Sequence, residues 1–261
     1  MPILYVTSFS RDIYEASGSR LLDSFLKSQT KDCMAVFYED IPAALIRQSH
    51  QNLALHDLGA SLMLAHWLKT NRDVIPQRLG GDWNGCECLQ AEAPRETHRI
   101  GCPGIWYNRN ASRWFRKVVA LWEAIHIAPN ATVIWLDADC VVKRAIDEYT
   151  IESVFDRAAV FYLKGSHREI LDSGILGLHL GRGGREFVEA TLARYISGEF
   201  RQYPRWDDGY QFQVTLSNRQ DIPSVDLAAD TCAGDMVRNS VLGTYFEHDR
   251  GTHRVVHRLM Q

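Results

Sequence analysis

The stretch Val133-Ile134-Trp135-Leu136-Asp137-Ala138-Asp139 decides how the rest of the chain is read. An apolar run from Ala131 to Leu136, rich in β-branched and aromatic residues, meets two carboxylates without a spacer. A short run of this kind reads as a strand buried on both faces, the signature of the interior of a largely parallel sheet. The carboxyl edge of such a sheet is where α/β proteins bind their ligands. Asp137 and Asp139 emerge at that edge, and strand alternation would point both to one side with Ala138 opposite. Two carboxylates there suit a hard divalent cation whose shell is completed by substrate phosphates. The plainer reading, a pair of solvated loop acids, is opposed by apolar neighbours on both sides, Leu136 before and Val141-Val142 after.

Outward from this stretch the chain alternates strands and helices. Residues 2–9 read as a buried first strand whose Thr7 and Ser8 deliver a loop to a site. Ser19 to Ser28 has helical spacing, and Cys33 to Tyr38 is a second strand closed by Glu39-Asp40. No Gly-x-Gly-x-x-Gly follows the first strand, so a dinucleotide fingerprint is absent. Leu53 to Lys69 reads as one amphipathic helix, and residues 76–108, rich in glycine and poor in periodicity, as a loop-rich excursion. Asn110 to Ile127 is a helix with Trp114, Val118, Leu121 and Ile125 on one side. Beyond Asp139 follow strands at Ala158 to Leu163 and Gly174 to Leu180, helices at Arg185 to Ile196 and Asp207 to Ser217, and a short strand at Pro223 to Leu227. The expectation is an α/β protein, one domain over residues 1–261, with a mainly parallel central sheet flanked by helices.

Composition narrows the classes. The 261 residues carry 29 Lys+Arg against 32 Asp+Glu, a net charge of −3, which argues against coating nucleic acid by charge alone. No apolar run exceeds six residues, so no transmembrane segment is expected. The N-terminus lacks a basic region followed by an apolar one, so no signal peptide is read, and reduced thiols in a cytoplasmic protein are expected. Cys86, Cys88, His98 and Cys102 lie close enough in sequence to hold zinc, but Cys-x-Cys is not the usual knuckle, and incidental loop thiols remain open beside it. Positive charge is local: Arg95 to Lys117 holds six Arg/Lys and one Glu.

The second motif is Tyr245-Phe-Glu-His248-Asp-Arg-Gly251-Thr-His253-Arg254, with the spacing His-x-x-Gly-x-x-Arg. With Asp-x-Asp at Asp137 and Asp139, it makes the chain resemble the metal-dependent GT-A glycosyltransferases. In particular it resembles family 8, the glycogenin-like and lipopolysaccharide galactosyltransferase group, whose closing motif is His-x-x-Gly-x-x-Lys. The resemblance extends over most of residues 2–254 and is weak between 42 and 108. It implies a Mn2+ or Mg2+ ion held by Asp137, Asp139 and His248, with Arg254 in place of the family's lysine at the diphosphate. Arginine keeps the positive charge there and can bind phosphate in bidentate fashion.

Other stretches fit the same resemblance. Arg113 and Lys117, on the helix before Asp-x-Asp, resemble the basic position that reaches the nucleotide-sugar, although a solvated basic face explains them equally well. Leu171-Asp172-Ser173-Gly174 resembles the segment against donor sugar and acceptor. Trp206-Asp207-Asp208-Gly209 resembles the acidic segment at the sugar, where one acid would serve the reaction and the other would cap a helix. Thr7, Ser8, Phe9 and Glu39 stand where a nucleoside would be held. The implied activity is transfer of a sugar from a nucleotide-diphosphate sugar, UDP-sugar foremost, with retention of configuration. If the reaction inverts, Asp172, Asp207 or Asp208 could serve as base. The acceptor is open among a glycan, a lipid-linked saccharide, a protein and a modified nucleic-acid base.

Two other classes compete. A phosphatase or nucleotidyltransferase could use the same two carboxylates. In haloacid-dehalogenase-like phosphatases, however, Asp-x-Asp ends the first strand of the fold, and here 136 residues precede Asp137. A non-catalytic nucleotide-sugar binding module is the third reading.

Overall fold

The computed structural model describes residues 2–46, 50–74 and 110–249. The Cys86, Cys88, His98 and Cys102 cluster, the 76–108 excursion and Arg254 lie outside the described residues. Nine strands are described: β1 Ile3–Ser10, β2 Cys33–Glu39, β3 Leu53–Asp57, β4 Thr132–Leu136, β5 Cys140–Val142, β6 Val160–Leu163, β7 Asp172–His179, β8 Ser224–Asp226 and β9 Phe246–His248. The principal helices are α1 Ser19–Lys27, α2 Leu62–Thr70, α3 Ala111–Ile127, α4 Glu148–Phe155, α5 Gly184–Ile196 and α6 Asp208–Asn218.

Seven strands form one sheet in the order β3-β2-β1-β4-β7-β6-β8, and β5 pairs with β9 in a separate ribbon. The pairs β1–β2, β1–β4, β2–β3 and β6–β8 are parallel, so the sheet is mainly parallel, as the sequence predicts. Strand β7 is the exception and runs antiparallel to both β4 and β6. That reversal matters for the site. It brings the first residues of β7, Asp172 to Gly174, to the same edge at which β4 ends, and the Asp137 amide donates to the Gly174 carbonyl at 2.8 Å.

The alternation along β4 splits the core in two. Val133 and Trp135 pack on one face with α3, α5 and α6 through Val118, Leu121, Phe187 and Phe212. Ile134 and Leu136 pack on the other face with α1, α4 and β9 through Phe25, Phe155 and Phe246. A strand covered on both faces has no use for polar residues until it leaves the sheet, which is why its apolar run ends where the carboxylates begin.

One expectation fails. The single helix read over Leu53 to Lys69 is a strand, Leu53–Asp57, followed by a short turn and then α2. The apolar residues of Leu53-Ala54-Leu55 satisfy either periodicity over so short a span. Pairing with β2 in register, Met34 opposite Leu53 to Tyr38 opposite Asp57, decides for strand. Asp57 then caps the turn by accepting from the Gly59 amide at 2.9 Å, and Ser61 caps α2. Helix α4 and the ribbon strands β5 and β9 have no counterpart in the sequence reading.

Candidate functional site

The site is built on the carboxyl edge of β4 and on what two neighbouring elements project over it. Helix α3 begins where the Asn110 side chain accepts from the Arg113 amide at 3.1 Å. Two turns in, it buries Lys117 against the end of the sheet, with its side chain 7% exposed. A buried ammonium needs compensating charge. Lys117 finds it in Asp137, at 2.7 Å, and in Asp208, with which it forms a closer pair. Its Nζ also donates to the Ser173 carbonyl at 3.0 Å and lies 5.0 Å from the Trp135 ring centre. Burial alone would depress the lysine pKa, but the charges of Asp137 and Asp208 and their hydrogen bonds outweigh it and hold it above the ordinary value. Trp135, two residues before Asp137 on the same strand face, donates its indole N–H to Asp137 Oδ1 at 2.7 Å.

Asp207 and Asp208 have different partners. Asp207 caps α6, accepting from the Tyr210 amide at 3.2 Å and from Arg205 Nε at 2.8 Å. Burial raises its pKa, the Arg205 hydrogen bond opposes this, and the neighbouring Asp208 adds to the rise. Asp208, almost wholly buried, faces Lys117. Asp172 accepts from the Gly174 amide at 2.8 Å and from Arg168 at 3.1 Å.

Asp139 has a different environment. A turn closed by the Cys140 amide to the Asp137 carbonyl, 2.9 Å, carries the chain out of β4 into β5. There Cys140 sits directly opposite His248 in the antiparallel ribbon. His248 Nε2 lies 3.1 Å from Asp139 Oδ1. Burial lowers the imidazole pKa, but the hydrogen bond to Asp139 and the charges of Asp139 and Asp137 outweigh that, so it stands above the usual histidine value. Gly174 makes room for the ring: a Cβ there would sit 2.2 Å from His248 Cε1.

Three donor atoms, from Asp139, Cys140 and His248, all lie within 4.8 Å of one another, the described group able to hold a metal ion. Of the expected trio of Asp137, Asp139 and His248, the last two meet in this group, and Asp137 Oδ1 is engaged by Lys117 and Trp135. A carboxylate and an imidazole suit a divalent cation such as Mn2+, whereas Mg2+ favours oxygen throughout and a thiol favours softer ions.

The remaining expected residues have surroundings of their own. Thr7 is fully buried, and its hydroxyl has no hydrogen-bond partner among the described residues. Ser8 is half-buried, while Phe9 packs on Tyr14 with ring centres 5.4 Å apart and so turns to the core. Glu39 forms an ion pair with Arg116. Arg113 is exposed, its guanidinium 5.0 Å from the Trp114 ring centre. Sequence reasoning missed Trp135 and Cys140 as parts of the site. Trp135 carried a signal, its two-residue offset from Asp137; Cys140 carried none, because its nearness to His248 depends on the ribbon.

No family model and no curated protein matches the chain. Among solved structures, mouse xyloside xylosyltransferase 1 superposes with a TM-score of 0.51 at 12% identity, covering 96% of this chain and 98% of that one. A glycosyltransferase involved in glycosylation of the major capsid of PBCV-1 gives 0.46 at 12% identity, covering 98% of this chain and 100% of the other. The glycosyltransferase GlyE of Streptococcus pneumoniae TIGR4 gives 0.46 at 11% identity over 86% of this chain, which spans 45% of that protein's length. The likeness to the mouse protein is one of fold: this α/β chain has the GT-A architecture.

Proposed function

We propose that the protein transfers a sugar from a nucleotide-diphosphate sugar to a hydroxyl-bearing acceptor, as an enzyme of one GT-A domain. The observation that carries this reading is the pair of charged clusters, Lys117 with Asp137 and Asp208, and Asp139 with His248, side by side at the carboxyl edge of the sheet. Departure of a nucleoside diphosphate leaves negative charge on its phosphates, so the reaction calls for positive charge held in place beforehand. A divalent cation, Mn2+ or Mg2+, held by Asp139 and His248 with Asp137 nearby, would supply Lewis-acid stabilisation of that charge. Arg254, six residues beyond His248, is proposed to add a cation at the diphosphate.

The chain's own residues divide the remaining work. Lys117 holds Asp137 and Asp208 in fixed orientation, and Asp208 and Asp172 are proposed to offer acceptor oxygens to sugar hydroxyls. Thr7, Ser8, Phe9 and Glu39 are proposed to flank the nucleoside position. Uridine as the base, retention of configuration and a cytoplasmic location complete the reading. The last accords with unbridged thiols at Cys33, Cys140 and Cys232. No described helix is long and apolar enough to cross a membrane.

A melting screen of UDP-, GDP-, CMP- and TDP-sugars with and without Mn2+ tests it. Stabilisation by one nucleotide-sugar class only when Mn2+ is present, with slow release of the nucleoside diphosphate, supports the reading. Release of inorganic phosphate would favour a phosphatase instead, and binding without turnover a binding module.

A further inference from the structure

The donor set at the edge of the ribbon differs from what two carboxylates and a histidine would make. Cys140 and His248 are directly opposed residues of the antiparallel pair β5–β9, so their side chains share one face of the ribbon. Asp139 immediately precedes Cys140, and its carboxylate meets His248 Nε2 at 3.1 Å. The thiol, the carboxylate and the imidazole converge within 4.8 Å, while one oxygen of Asp137, Oδ1, is engaged by Lys117 and Trp135. Cys140 is fully buried, and its Sγ lies 3.6 Å from the Gly174 carbonyl, beside the gap that the glycine leaves for His248. Sulfur, nitrogen and oxygen donors from three residues match the preference of a thiophilic ion.

We propose that this site takes Zn2+ or Co2+ with Cys140 Sγ as a protein ligand beside Asp139 and His248. This rests on the cation site of the proposed function, adds a third ligand to it and puts a thiophilic ion there in place of Mn2+ or Mg2+. Binding replaces the thiol proton: the S–H bond breaks, the metal–sulfur bond forms and the proton leaves to solvent. Asp137 then remains an anchor for Lys117. Affinity order alone does not test this, since Zn2+ and Co2+ outrank Mn2+ at most sites. The sulfur–metal bond does.

The experiment uses full-length protein in which Cys33, Cys86, Cys88, Cys102 and Cys232 are serine, leaving Cys140 the single thiol, titrated with Co2+ and followed by absorption. The expected result is a sulfur-to-cobalt charge-transfer band in the near ultraviolet, with visible bands of a tetrahedral ion. Asp137→Asn should leave the band in place. Cys140→Ser on the same background should abolish it and weaken Co2+ binding by at least about tenfold. Because the band is read first in protein that keeps Cys140, a folding defect in the serine variant does not decide the outcome. Co2+ bound by Asp139 and His248 without a sulfur band overturns this inference and leaves the glycosyltransferase reading standing. Absence of any Co2+ or Mn2+ binding, with or without nucleotide, overturns both.

Discussion

The two carboxylates at the end of β4 stand two residues apart and live in different surroundings. Asp137 faces the α3 side, where it joins Lys117, Trp135 and Asp208 in a charge network. Asp139 faces the β5–β9 ribbon, where His248 and Cys140 meet it. The turn between them breaks the alternation that would have aimed both at one point. The Asp137 region holds the Lys117 ammonium, and the Asp139 region brings an imidazole and a thiol beside the carboxylate. One acid is thus committed to holding the site together, and the other is positioned to bind.

The largest expected effect breaks that distinction on the Asp137 side. Lys117→Met leaves two carboxylates facing each other without a cation, one of them with its side chain 3% exposed. Removing one partner of a buried ion pair costs about 3–5 kcal/mol, which urea unfolding would read directly. Double substitution with Asp208→Asn should recover part of the loss, since the uncompensated charge is gone.

On the Asp139 side the order of effects reverses. Asp139→Asn should lower sugar transfer by roughly 100-fold or more, the scale of removing one preorganised charge-stabilising group. Its unfolding midpoint should stay within about 1 kcal/mol of wild type, because an exchange of carboxylate for amide keeps the volume. An Asp139→Asn protein that transferred sugar at the wild-type rate with EDTA present would sink the metal-dependent reading.

A smaller effect is expected at Gly174, which serves both sides. Gly174→Ala puts a Cβ 2.2 Å from His248 Cε1 and 3.0 Å from Asp172 Oδ1. Displacing a packed ring in this way costs about 1–3 kcal/mol. The cation-dependent melting shift should fall more than the stability of the metal-free protein.

The smallest is a pH effect. In metal-free protein the His248–Asp139 pair raises the imidazole pKa above its ordinary 6.5. Its contribution is complete below that value and is lost as pH rises through the folded-state value. The melting-temperature difference between wild type and His248→Gln should therefore shrink with rising pH across neutrality. A difference that grew with pH would contradict the ion pair.

Much of the fold was legible because its signals are local. The buried runs at β1, β2, β4 and β7 and the helices α1, α3, α5 and α6 each carry a periodicity that burial demands. Leu53–Asp57 was misread because five residues of mixed polarity fit a strand or a helix turn equally well, and only pairing with β2 distinguishes them. At the site, the split between Asp207 as cap and Asp208 as partner of Lys117 lay within what the sequence allowed. The Cys140–His248 contact did not: they stand 108 positions apart, and no pattern within either segment specifies the register of a ribbon this short.

The sequence by itself determined that a buried strand ends in two acids at the ligand edge of an α/β sheet, because hydrophobic alternation and chain order are written residue by residue. Which acid holds the scaffold and which gathers ligands was decided only by tertiary structure. Helix α3 buries a lysine against one, the ribbon brings a histidine and a thiol to the other, and a charge in a buried setting takes its role from the partner that neutralises it.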